Sequence, residues 1–256
     1  MEGRLEKMKR YGMVVFCVLA LFLAGAAAAA PIPVPTGFAL ENGRVTRGGT
    51  ALECEVHQVP DGIENGIALW CVVGSETSEA VQKEETGVFF FGPDGRSVAF
   101  IPLDARGEYQ DLVWSPDGGR LVLVTGGARP DMFFTLFTVD GKGMEKGPGF
   151  PGLRGGLAWV DPHRFAFTRI DDVRDTKSGA FQGVALWLSA VLYDAAVGME
   201  TVLKAADGTR SYVLQSVSDD GSTLNLTELS VASPKDWGDT EKIQEREVTV
   251  EVPAAG

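Results

Sequence analysis

Trp114-Ser115-Pro116-Asp117-Gly118-Gly119-Arg120-Leu121-Val122-Leu123-Val124 is the stretch that decides the fold. It reads as a strand, a tight turn and an alternating apolar strand. Pro presets φ ahead of the turn, Asp caps the turn through its own backbone, and Gly takes the left-handed position. The outgoing strand sets branched side chains on alternate faces. Weaker copies recur along the chain. Phe91-Gly92-Pro93-Asp94-Gly95-Arg96 precedes an apolar stretch at 97–101, Ala158-Trp159-Val160-Asp161-Pro162 precedes 164–168, and Val217-Ser218-Asp219-Asp220-Gly221 precedes 222–226. Two more strands end in turns. Residues 133–139 run into Asp140-Gly141, and 184–193 run into Asp194-Ala195-Ala196-Val197-Gly198 and an outer strand at 199–203.

The chain holds 32 Gly and 13 Pro, and its apolar runs are short, with no helical periodicity outside the N-terminus. Such a pattern means an all-β sandwich, barrel or propeller, and repeat structure decides among them. Trp70, Trp114 and Trp159 are separated by 44 and 45 residues, close to the ~40–45 of a four-stranded blade. Together these repeats resemble the WD40-like, TolB-type propeller repeat, whose hallmark is a Trp-Ser-Pro-Asp-Gly turn between the first two strands. The match is closest at 114–124 and covers about 87–230, while 31–86 share only its strand-turn-strand character. Asp94, Asp117, Asp161 and Asp220 are separated by 23, 44 and 59 residues, which is uneven. At ~45 residues per blade the expectation is a single β-propeller domain over 29–256, of about five four-stranded blades. That is fewer than the six familiar from TolB. Such a chain is a small closed propeller, or carries a divergent N-terminal part, or forms an irregular or incomplete ring. Residues 245–252 alternate cleanly and are the candidate closing strand, with Glu245, Glu247, Thr249 and Glu251 facing water. The stretches around 235–238 and 240–244 read as connecting loop.

The N-terminus reads as a signal peptide. Arg4, Lys7, Lys9 and Arg10 precede an apolar run at 13–24 and small residues at 25–30, with cleavage expected near Ala28. The run falls short of the ~20 apolar residues of a membrane span, although an uncleaved anchor is the alternative. No cysteine ends it, which disfavours a lipoprotein. Residues 1–28 carry four basic and two acidic side chains, leaving 19 Lys+Arg against 33 Asp+Glu in the mature chain. That field repels nucleic acid and anionic lipid. The expected location is periplasmic or secreted. Cys54 and Cys71 then remain, flanking a turn signal at 59–66 between strands expected at 51–59 and 67–73. A hairpin centred on residues 62 and 63 opposes the two cysteines, and an oxidising compartment would join them in a cross-strand disulfide worth ~3 kcal/mol. Two thiols and His57 are too few for a zinc site, and no Cys-x-x-Cys pair exists for redox chemistry.

Catalytic signatures are sparse. Val73-Gly74-Ser75-Glu76-Thr77 is not a nucleophile elbow. His57 and His163 are the chain's two histidines, and His163 reads as a turn residue. No phosphate loop, dinucleotide fingerprint or zinc-protease motif is present, so no cofactor, metal or catalytic residue is assigned. A glycoside hydrolase would need two carboxylates at ~5–10 Å. Asp131 and Asp194 are the least poor candidates, and both read more simply as turn residues. The distinctive cluster is 169–179, a mixed-charge loop expected between the second and third strands of a blade. Loops on a rigid scaffold carry binding function, which makes Arg169, Asp171, Asp172, Arg174 and Asp175 the candidate binding residues. Their acids lack the order of a calcium loop. The resemblance implies a non-catalytic scaffold that binds a protein of the cell envelope. The alternative is a carbohydrate-active or other hydrolytic propeller using a carboxylate pair.

Overall fold

A computed structural model of the chain describes residues 32–74, 81, 85–103, 108–126, 131–140, 143–175 and 184–254. The signal-peptide reading lies outside the described residues. Among the described residues the fold is all-β, with 61% strand. Three short strands, β1 (Phe38–Glu41), β2 (Arg44–Arg47) and β3 (Thr50–Ala51), form the first sheet. The second is the meander β4 (Val56–Gln58), β5 (Leu69–Val73), β6 (Gly87–Phe91) and β7 (Ser97–Pro102). The third has seven strands in chain order: β8 (Glu108–Trp114), β9 (Arg120–Gly126), β10 (Asp131–Asp140), β11 (Gly143–Trp159), β12 (Arg164–Asp175), β13 (Val184–Asp194) and β14 (Met199–Lys204). The last comprises β15 (Arg210–Val217), β16 (Thr223–Ser230) and β17 (Gln244–Glu251). Every pairing among these strands is antiparallel.

The seven-stranded sheet is two four-stranded units sharing β11. The first part of that strand pairs with β10, and Leu157, Ala158 and Trp159 pair with β12 after a register shift. The shift falls beside Gly155, which has φ +74°, and Gly156. At Gly156 a Cβ would come 2.7 Å from the Thr168 hydroxyl, so the strand can swing across only because no side chain is there.

Period-two alternation gives the inner sheets two apolar faces, and successive sheets interlock through them. Phe89 and Phe91 pack with Phe38 and Val45 of the first sheet. Val88 and Phe90, one residue out of phase, pack with Leu121 and Leu123. Val122 and Val124 then meet Phe165 and Phe167. Ala166 turns to Leu224 and Leu226 of the last sheet. There the apolar series stops. The other face of the last sheet carries Ser216, Asn225 and Thr249, which are exposed and linked by side-chain hydrogen bonds.

One rim is a row of stitched turns. Asn65 Nδ2 donates to the Gly118 carbonyl at 2.9 Å. Arg120 Nη1 donates to the Pro162 carbonyl at 3.2 Å and to His163 Nδ1 at 2.7 Å. A guanidinium can only donate, so Nδ1 is the acceptor. Arg164 Nη1 reaches the Pro253 carbonyl at 2.6 Å. Trp159 Nε1 donates to the Val113 carbonyl at 3.1 Å, joining the ends of β11 and β8.

No closed barrel or propeller ring is detected among the described residues, so the all-β class stands and the five-bladed arrangement is left as a proposal. Several other expectations are corrected. β17 pairs with β16, while the N-terminal β1 pairs with β2, so these first and last strands do not share a sheet. The turn at 91–96 joins the third and fourth strands of its unit, whereas the turn at 114–120 joins the first and second. The 23-residue interval is therefore about half a unit, the 44-residue interval a whole one, and the 59-residue interval a unit lengthened by the β12–β13 hairpin. Residues 169–175 belong to β12 and not to a loop, because pairing with β13 continues to Asp175 opposite Val184.

The cysteine hairpin is also shifted. Cys71 lies opposite Val56, His57 opposite Trp70, and Gln58 opposite Leu69. Asn65 Oδ1 accepts from Ile67 N at 3.0 Å, which keeps 65–67 in the turn and displaces the register by two residues. Cys54 and Cys71 are free thiols in this structure. Their side chains are still hydrogen-bonded, and that bond holds the Cys54 thiol low while it and burial push the Cys71 thiol up.

Candidate functional site

The rim opposite the stitched turns holds the sequence-derived candidates. β12 and β13 leave the sheet body there as a long hairpin. A bulge between Ile170 and Asp172 sets Asp171 outside the regular ladder, and bulges re-aim side chains in this way. Arg169 Nε donates to Asp171 Oδ1 at 2.6 Å, and Arg169 Nη1 donates to Glu200 Oε2 at 2.7 Å. The Ser189 hydroxyl donates to Asp171 Oδ2 and accepts from Ala206 N at 2.8 Å. Burial alone would lower the Arg169 pKa. The bonds to Asp171 and Glu200 outweigh it and raise the value. Arg169 and Asp171 thus meet, as a pair already engaged with each other. The side chains of Asp172, Arg174 and Asp175 lie outside the described residues, though their backbone positions on β12 are defined.

The hairpin is braced from the next sheet. The segment between β16 and β17 contains two 3-10 turns, Pro234–Gly238 and Thr240–Lys242. Each is capped by the residue before it: Ser233 Oγ accepts from Lys235 N, and Asp239 Oδ1 accepts from Glu241 N. Lys242 Nζ lies 2.9 Å from Asp236 Oδ1 and 3.6 Å from Asp239 Oδ2, tying the two turns together. Trp237 is buried with Val231, packs near Trp187 of β13, and donates Nε1 to the Gly208 carbonyl at 2.9 Å.

The ends of this brace frame an open groove of about 520 Å³ lined by Thr209, Arg210, Glu228, Ser230, Gln244 and Arg246, among others. Cross-strand register explains the lining. Tyr212, Glu228 and Arg246 form one row on the core-facing side of the sheet, and Arg210, Ser230 and Gln244 form the next. Glu228 is 8% exposed, and its Oε1 accepts from Arg246 Nη2 at 3.0 Å. Burial, with the neighbouring Glu228 carboxylate, pushes the Tyr212 hydroxyl up. A buried carboxylate between a phenol and a guanidinium is a fixed, fully formed hydrogen-bonding surface.

Sequence reasoning missed this groove. The available signal was the phase of β16, since Leu224 and Leu226 point into the core and Glu228 shares their parity. An acid at an apolar-phase position needs a partner, and Arg246 supplies it.

The other candidates have structural surroundings. His57 stacks on Trp70 with ring centroids 4.3 Å apart. His163 N donates to Asp161 Oδ1 at 2.8 Å within its turn. Asp194 caps the β13–β14 turn by accepting from Ala196 N at 2.9 Å. Asp131 opens β10 opposite Leu153, and its side chain lies outside the described residues. Among the described residues no group of three or more His, Cys, Asp or Glu is arranged to hold a metal ion, and no helix is long and apolar enough to cross a membrane. No protein-family model and no curated protein matches the chain.

Proposed function

We propose that this chain is an extracytoplasmic, non-catalytic protein-binding module built from propeller-type units, with β1–β3, β4–β7, β8–β11, β11–β14 and β15–β17 as five blades of an open array. The TolB-like turn repeat supports the blade assignment, and the charge pattern of residues 1–30 supports the location. The observation that carries the binding reading is the braced β12–β13 hairpin. Its β12 strand carries the paired Arg169 and Asp171 and the backbone positions of Asp172, Arg174 and Asp175, on a hairpin braced by the bond from Trp237 to Gly208. Charges of both signs along one strand favour specific pairing with a folded partner. In an oxidising envelope the hydrogen-bonded thiols of Cys54 and Cys71 close to a disulfide, which a thiol titration of exported protein would detect as loss of both free thiols.

The test is a pull-down from envelope extract with the parent chain and a variant carrying Asp171→Ala, Asp172→Ala and Arg174→Ala. A discrete protein retained by the parent and lost from the variant is the expected result. Glu228 and Glu245 line one groove, and this favours a carbohydrate-active enzyme as the second reading. Retention on polysaccharide, with no protein partner, would move the assignment there.

A further inference from the structure

The three four-stranded units each end in a strand paired to the third: β7 on β6, β11 on β10, and β14 on β13. Among the described residues the last sheet stops at three, and β17 is its edge. We propose that β17 is a docking edge for an extended, basic segment of a partner protein, which adds as the fourth strand. This inference rests on strand pairing and charge and does not depend on the β12–β13 rim.

The pairing geometry says which residues would receive that segment. Val252 N donates to the Ser222 carbonyl at 2.8 Å, and the β16–β17 register continues from there without a bulge. In an antiparallel ladder the inward-bonding residues alternate with those whose N–H and C=O point away. Arg246, Val248 and Val250 therefore bond toward β16, while Glu245, Glu247, Thr249 and Glu251 present their backbone groups outward. Those same four residues are exposed. An incoming antiparallel strand would form its hydrogen-bonded pairs opposite three carboxylates and one threonine. Opposite charges across such pairs are favourable and like charges are not. The alternate positions of the incoming strand would lie beside Val250, Val248 and Arg246.

Along the partner, the fitted segment is basic, apolar, neutral, apolar, basic, acidic, basic. A second copy of this chain does not suit the edge. Antiparallel pairing of β17 with itself about Val248 would set Glu245 against Glu251, carboxylate to carboxylate.

The probe is a blocked heptapeptide, Lys-Val-Thr-Val-Lys-Glu-Lys, titrated into the full-length chain and followed by backbone amide shifts. Saturable shifts along 244–251 are expected, together with loss at high salt. Two variants keep the test decisive. Glu247→Pro removes an outward N–H without touching the β16 ladder, as an edge strand tolerates, and should weaken binding by about tenfold. The triple variant Glu245→Lys, Glu247→Lys, Glu251→Lys should lose the basic peptide and gain one with its lysines replaced by glutamate. Circular dichroism of both variants checks that the sheet persists. The proposal is overturned if neither peptide binds, if the shifts fall outside β17, or if folded Glu247→Pro binds as the parent does.

Discussion

The turn at 115–120 and the turn at 218–223 are built by the same bonds in different surroundings. Ser115 Oγ donates to Asp117 at 2.7 Å, and Ser218 Oγ donates to Asp220 at 2.7 Å. Arg120 N donates to Ser115 Oγ at 2.9 Å, and Thr223 N donates to Ser218 Oγ at 3.0 Å. Gly119 N and Ser222 N each reach the turn aspartate at 3.0 Å. Gly118 and Gly221 both have φ +69°. Yet the first turn has Trp114 and Pro116 where the second has Val217 and Asp219. Ser, Asp and Gly therefore suffice for the turn itself, and the tryptophan serves packing between units. The first turn is also contacted from both sides, by Asn65 and by the 160–164 turn, whereas the second meets Val160.

The sharpest way to break the equivalence is at the glycines. In Gly221→Ala the new Cβ would sit 2.5 Å from the Val160 carbonyl oxygen, a backbone atom. In Gly118→Ala it would sit 2.2 Å from Ile63 Cγ2, a side chain that can rotate. Adding the left-handed penalty, Gly221→Ala should cost about 3 kcal/mol and Gly118→Ala about 2 kcal/mol in urea unfolding. The serines come next. Ser115 is 1% exposed, so Ser115→Ala strands the Arg120 amide and should cost about 2 kcal/mol, against about 1 kcal/mol for Ser218→Ala.

Acid tests both turns without mutation. Hydrogen bonds from the Ser218 hydroxyl, and then from the backbone and hydroxyl of Ser222, lower Asp220 to about 2. At Asp117 burial pushes up, and bonds from Ser115 and Gly119 prevail to hold it low. A lowered carboxyl stabilises the fold fully above its ordinary range and ceases to do so as pH falls through the folded value. The Ser222 amide shift should therefore titrate near pH 2, and both turns should stay formed at pH 5. The smallest effect is at the second turn position, where Asp219→Pro should raise stability by ~0.5 kcal/mol by restricting the unfolded chain, read as a higher urea midpoint.

These turns are also why so much of the fold was legible. Each copy of Asp-Gly or Asp-Pro fixed a hairpin from four or five neighbouring residues, and β7, β9, β10, β13, β14, β16 and β17 lie where their alternation puts them. Features set at longer range were not readable. Nothing local says that the 91–96 turn joins third and fourth strands. Asn65 moves the cysteine register through a bond within its loop and another to Gly118, 53 residues away. The charge-rich run at 169–175 resembles a loop because its acids and bases mask the β alternation that pairing with β13 imposes. Of the candidate site, Arg169 and Asp171 were visible as charges, while Ser189, Glu200 and the Glu228 row depend on strands brought together from elsewhere.

The stitches that leave the turns have a direction. In all three the donor lies earlier in the chain than its acceptor: Asn65 before Gly118, Arg120 before Pro162, and Arg164 before Pro253. The Trp159 bond, which joins strand ends, runs the other way, back to a finished strand. A chain synthesised from its N-terminus therefore completes each of these turns holding a side chain whose acceptor has yet to emerge. Each new unit docks on a finished template, mostly by contacts between neighbours, so assembly can proceed as sequential growth from one end.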